Sequence, residues 1–133
     1  MSGSPFFDTT ILIYTIWESD ARAAVAEELL EAGGHINVQV LNEFAAVARR
    51  KLKMPWWEIS ESLDSIRRLC QPVTPLTVQV HEAGLKIAAD SRYNIYDALI
   101  LAAAIDAGCD TVYSEDMQDG QKIGPVTIRN PFL

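Results

Sequence analysis

A chain of 133 residues, 49% hydrophobic and 22% charged, can bury a core of its own and has the composition of a globular protein rather than a disordered one. Its formal net charge of −7 argues against a domain that reads DNA through a basic face, while leaving open a polyanion held through divalent ions. No apolar run is long and charge-free enough to span a bilayer, and MSGSP lacks the basic region and apolar core of a signal peptide, so a cytoplasmic, membrane-free protein is expected.

In chain order, residues 5–8 (PFFD) read as a short first strand. A helical pattern starts at Thr9 or Thr10 and runs through Ile11, Leu12 and Tyr14 toward Trp17. Ser19 and Asp20 signal a helix start for residues 21–32, which Gly33 and Gly34 stop. Residues 35–38 (HINV) are a second strand, followed by a helix over 40–53 with Leu41, Phe44, Ala45, Ala48 and Leu52 at helical spacing, ending before Pro55. Residues 56–70 form another amphipathic helix and 72–75 a short extended piece. The helix over 77–91 is expected to place Val80, Ala83, Leu85, Ile87 and Ala88 in the core. Residues 96–108 (YDALILAAAIDAG) are apolar on nearly every side, which predicts a buried, central helix closed by Gly108. A strand at 110–114, a turn or short helix at 115–121 and a last strand within 125–132 complete the chain. Strands alternating with helices predict an α/β architecture with a mostly parallel sheet.

In such sheets ligands bind beyond the carboxyl ends of the strands. Asp8 ends the first strand, Glu43 lies early in the helix after the second, Asp97 opens the buried helix and Asp116 comes just past the strand at 110–114. Each acid also has a purely structural reading. Asp8 suits a helix cap, Glu43 a surface glutamate paired with Arg50, Asp97 the first turn of a helix, and Asp116 and Asp119 an acidic turn. Brought together, however, carboxylates repel and either take up protons or gather cations. Oxygen-only ligands suit Mg²⁺ or Mn²⁺, which serve displacement at phosphorus.

Other chemistries lack their motifs. There is no G-x-G-x-x-G, no G-x-x-x-x-G-K-[ST] and no G-x-S-x-G. His35 and His81 are isolated, as a strand-end and a helix-surface histidine. Cys70 and Cys109 have no metal spacing and read as buried, reduced thiols. Trp56 and Trp57, which are also conceivable as a base-stacking pair, read better as covering core or an interface.

The four acids, in their contexts, resemble a known family. FFDTTILIY is similar to the opening strand of PIN domains, LNEFAAV to their glutamate helix, YDALILAAA to their aspartate-led buried helix, and YSEDMQDGQ with the terminal NPF to their closing acidic loop. Over residues 6–132 the chain resembles a PIN-domain ribonuclease of the VapC type, the toxin half of VapBC toxin–antitoxin pairs. The resemblance implies one domain over residues 1–133, a three-layer α/β/α sandwich and Mg²⁺- or Mn²⁺-dependent RNA hydrolysis that leaves a 5′-phosphate and a 3′-hydroxyl. It implies Asp8, Glu43, Asp97 and Asp116 as metal-binding acids, Ser114 as a hydroxyl that orients water or a ligand, and Asp119 as a fifth ligand at a variable place. Thr10 stands where the family often has asparagine. A homodimer and a wrapping antitoxin are implied partners, with Trp17, Leu29, Leu30 and Trp56 as contacts or as ordinary core. Arg49, Arg50, Lys51 and Lys53 form the densest basic cluster, suited to RNA phosphates or to a solvated helix end. A PIN nuclease of RNA processing or repair, and a non-catalytic PIN-like module, are the alternatives.

Overall fold

The computed structural model describes residues 3–17 and 20–133. The elements run β1 (Phe6–Phe7), α1 (Thr9–Tyr14), α2 (Arg22–Ala32), β2 (Ile36–Asn37), α3 (Val38–Arg50), α4 (Trp56–Leu69), β3 (Val73–Thr74), α5 (Val78–Asp90), α6 (Ile95–Asp106), β4 (Thr111–Tyr113), β5 (Lys122–Ile123) and β6 (Val126–Arg129). Four strands pair in the order β1-β4-β6-β5 and two as β2-β3. A parallel bridge between Phe6 and His35 joins the two ladders, with Phe7 N–H donating to the His35 carbonyl at 3.0 Å. The sheet is therefore parallel except at β5, which returns antiparallel against β6. Helices α1 to α4 pack on one another, whereas α5 packs on α6 and α6 on β4 and β6, giving the α/β/α layering expected.

Local chemistry explains the short strands. Phe6 and Phe7 are both fully buried, so β1 is covered on both faces and reads as an unbroken apolar pair instead of an alternation. Asp8 turns the chain at once into α1, and its Oδ1 accepts the Thr9 backbone N–H at 2.7 Å. Asn37 does the same for α3, accepting from Val40 N–H at 3.1 Å, so that helix starts at Val38, two residues before its apolar stripe. Asn94 caps α6 by accepting from Asp97 N–H at 2.9 Å. Gly108 leaves α6 at φ 78°, the left-handed conformation that glycine adopts without strain. Ser19, the expected start signal for α2, lies outside the described residues, whereas Asp20 accepts the Arg22 N–H at 2.9 Å.

The core is continuous from Phe6 and Phe7 through Ile11, Leu12, Phe44, Ile100, Leu101 and Ile128. Helix α6 is its centre, with Ala98, Ile100, Leu101, Ala102, Ala103 and Ala104 buried. Cys70 and Cys109 are buried free thiols whose pKa burial pushes up to about 11, so both stay protonated.

Some expectations are corrected and others are narrowed. Ala83 and Leu85 are exposed, and α5 instead faces α6 through Val80 and Gly84. Two stripes fit the sequence of α5, and the one carrying Gly84 wins because a Cβ there would stand 2.5 Å from Leu99 Cδ2; the bare Cα lets α6 approach. Trp56 and Trp57 are 59% and 65% exposed and cover no core, because α4 turns Ile59 and Ile66 inward instead. Of the two readings of Leu30, contact or ordinary core, the second holds: it is buried in this chain's own core. Residues 122–123, expected to lie between a turn and the last strand, form β5, because Gly124 at φ 55° makes a hairpin with β6.

Candidate active site

The carboxyl ends of β1 and β4 lie side by side, with Asp8 N–H donating to the Tyr113 carbonyl at 2.9 Å. The residues just past each strand therefore meet. A cavity of about 340 Å³ opens there, lined by Asp8, Glu43, Asp97 and Asp116 together with Glu115 and Lys51. Four acids from sequence positions far apart thus share one space: the end of β1, the second turn of α3, the first turn of α6 and the loop after β4.

Asp8 is held most tightly. It is only 5% exposed, its Oδ1 is occupied by Thr9 N–H, and its Oδ2 accepts the Ser114 hydroxyl at 2.7 Å. The cap role and the cavity-facing role, alternatives in the sequence, are both filled by this one side chain. Ser114 is fully buried behind Asp8 and accepts from Asp116 N–H (3.2 Å) and Met117 N–H (3.4 Å), so one hydroxyl fixes both the first acid and the loop bearing the last. Glu43 makes no pair with Arg50 among the described residues; its Oε1 accepts the Thr9 hydroxyl at 2.9 Å.

The charges strain against one another. Burial raises the Asp8 carboxyl to about 7, opposed by its hydrogen bonds from Ser114 and Thr9 and reinforced by the charges of Asp97 and Glu43. Asp97 is raised by burial, then by Asp116 and Glu43. Glu115, on the same loop, is neutralised differently. It accepts Tyr14 Oη–H at 2.5 Å and Arg22 Nη1 at 2.6 Å, while Arg22 also grips Asp20. Burial and the bond to Glu115 raise the Tyr14 hydroxyl to about 12, and Arg22 holds Asp20 down at about 2.

The family profile of the PIN domain matches residues 6–119, most of the chain. The chain belongs to the PIN-domain family. Its fold is similar to a crystal structure of a sarcin-ricin-loop-cleaving VapC toxin of Mycobacterium tuberculosis (TM-score 0.69, 21% identity, covering 85% of this chain and 90% of that one). It is similar also to a toxin–antitoxin complex from Klebsiella pneumoniae (0.71, 20%, 96% and 98%). A third likeness is to VapBC2 of Rickettsia felis, solved bound to a DNA fragment from its promoter (0.69, 18%, 95% and 97%). No curated protein sequence matches the chain.

Within this PIN domain, Asp119 is not brought to the cavity. It is exposed, and its Oδ1 accepts Asn130 N–H at 2.8 Å, tying the loop to the segment after β6. Of the basic cluster, Lys51 reaches the cavity, whereas Arg49 lies over the Trp56 ring at 5.0 Å and donates to the Met54 carbonyl. Thr10 lines the cavity, and its Oγ1 accepts Glu115 N–H at 3.3 Å. Sequence reasoning missed Thr9 as the partner of Glu43 and Glu115 as the partner of Tyr14 and Arg22. For Thr9 a signal existed, a hydroxyl adjacent to the strand-end acid; for Glu115 none did, since its partners lie 93 and 101 residues away. No helix among the described residues is long and apolar enough to cross a membrane.

A divalent cation is implied by the family, and the donors suit one. Asp8, Glu43, Asp97 and Asp116 offer only carboxylate oxygen, and each Asp8 oxygen accepts a single hydrogen bond, which leaves lone pairs for a hard ion. Among the described residues no three such side chains are grouped tightly enough to grip an ion as they stand, so the acids ring the cavity instead of converging on one point.

Proposed function

We propose that the protein is a Mg²⁺- or Mn²⁺-dependent endoribonuclease and the toxin of a toxin–antitoxin pair, acting on RNA in the cytoplasm. The observation that carries this reading is the ring of four carboxylates, from four separate elements, around one cavity at the strand ends of a PIN fold. Its likeness to a VapC toxin, to a toxin–antitoxin complex and to VapBC2 supports the toxin role and a VapB-like antitoxin partner, and the proposal includes a homodimer.

Asp8, Glu43, Asp97 and Asp116 are the residues that would hold the cation. When bound, it supplies charge neutralisation at the phosphodiester and activation of a water for in-line attack. The chain's own contribution is positional. Ser114 and Thr9 N–H fix Asp8, the Thr9 hydroxyl turns Glu43 toward the cavity, and Asn94 sets the helix start that presents Asp97. Burial around Asp8 keeps bulk water from screening these charges. Lys51, the lysine among the described lining residues, offers a cation to a phosphate beside the acids.

The test is incubation of purified protein with a mixed RNA pool, with Mn²⁺ and with chelator, and sequencing of the new ends. Cleavage that needs Mn²⁺, leaves 5′-phosphates and disappears in Asp97→Asn, together with loss of growth arrest by that variant, is the expected result. Full cleavage by Asp97→Asn sinks the assignment.

A further inference from the structure

The acidic cavity continues past its carboxylates. Trp17, just beyond α1, lines it and is 44% exposed. The same side chain also lines a second cavity of about 600 Å³, shared with the apolar Ile16, Leu52 and Met54 and the polar Thr15, Glu58 and Ser62. An indole thus stands between a space ringed by acids and a second one that offers both polar and apolar groups.

The ring is held in place from behind. Tyr14 stacks against it with centroids 6.2 Å apart and planes 23° from parallel. Tyr14 is itself fixed by Glu115, by Phe132 edge-on at 5.0 Å and by the Arg22 guanidinium 4.4 Å from its centroid. Through Glu115 this network anchors the loop that bears Asp116, and it also holds an exposed aromatic plane at the rim of the acids.

We propose that Trp17 is a stacking platform for the base next to the scissile phosphate, with that base entering the second cavity and Lys51 taking a flanking phosphate. The proposal rests on the reading of the acidic cavity as a ribonuclease site. A nucleobase has a flat face and a polar edge, and beside the acids and Lys51 the wall offers partners for both: the indole, Ile16, Leu52 and Met54 for the face, and Thr15, Glu58 and Ser62 for the edge. Stacking on an aromatic ring tolerates any base and is stronger for the larger purine face.

Two measurements separate this proposal from the function it rests on. In an Asp97→Asn background, which holds RNA without turnover, fluorescence anisotropy of a labelled single-stranded RNA reads binding alone. There Trp17→Ala is expected to weaken binding roughly tenfold, Trp17→Phe much less, and Trp56→Ala not at all. In the otherwise native chain, Trp17→Ala is expected to raise KM with kcat nearly unchanged, and to erase a preference for purine beside the cut. Equal affinity and equal KM in Trp17→Ala, with an unchanged circular dichroism spectrum, overturn the proposal, as does a loss confined to binding of a protein partner. If the native chain cleaves no RNA but the Trp17-dependent binding persists, the nuclease reading fails and the stacking site stands.

Discussion

Asp8→Asn isolates the cost of a charge in a buried place. A carboxyl raised from 3.8 to about 7 is ionised at pH 8 against a penalty of about 4 kcal/mol in the metal-free protein. The amide removes that charge. It keeps an oxygen for Thr9 N–H but turns an NH₂ toward Ser114 Oγ, which already accepts two backbone N–H groups and loses its own acceptor. That conflict costs about 1–2 kcal/mol. The variant should therefore be more stable than the native chain by about 2–3 kcal/mol at pH 8 in chelator, which raises Tm by about 10 °C for a chain of this size. Linkage sets the sign: between 3.8 and about 7 the folded protein binds the extra proton, so native stability falls as pH rises through that window. At pH 5 the folded carboxyl is protonated, the remaining penalty is about 1–2 kcal/mol, and the lost hydrogen bond cancels it. Thermal unfolding by circular dichroism at pH 8 and pH 5, both in chelator, reads the two values. An Asp8→Asn protein less stable than native at pH 8 would falsify the account of Asp8 as a strained, function-bearing acid. The same variant is expected to be inactive, so stability and activity move in opposite directions.

Three further outcomes are expected. Mn²⁺ should raise the Tm of the native chain more at pH 8 than at pH 5, because Asp8 and Asp97, both raised, must lose protons to bind it; the gain should vanish in Asp97→Asn. Thr9→Val removes the hydroxyl that orients Glu43 and should lower kcat/KM by roughly tenfold or more with less than about 1 kcal/mol lost in urea unfolding, whereas Thr9→Ser retains activity. Gly84→Ala places a methyl 2.5 Å from Leu99 Cδ2 and 3.3 Å from its Cα, and should cost about 1–2 kcal/mol by urea titration; a stabilised variant would refute the close α5–α6 approach.

What the sequence made legible was local. Asp8 and Gly108 each act on the neighbouring turn of chain, so the strand end and helix limit beside them could be read from a few letters. The apolar run after Asp97 needed only composition to be recognised as central. The acids became a group through topology: parallel pairing of β1 with β4 sets the two strand exits, and the acids just past them, side by side. The illegible parts depend on which of two surfaces a helix turns inward. Helix α5 carries two apolar stripes, and only the neighbouring Leu99 decides between them. Trp56 and Trp57 suggest core because indoles are large and apolar, yet Ile59 and Ile66 fill that side of α4 first. Glu115 looks like one more acid in an acidic loop, and nothing nearby in sequence announces its partners, Tyr14 and Arg22.

The Ser114 hydroxyl joins residues 106 apart in sequence, and that distance has a consequence in time. During synthesis Asp8 emerges early, but its fixing partner, the strand beside it and the last acid arrive only when most of the chain has been made. β6, which lies between β4 and the closing β5, comes later still. A partly translated chain therefore owns Asp8, Glu43 and Asp97 without the frame that gathers them. On the toxin reading, the growing chain is expected to lack an assembled site until β4 and β6 have been made.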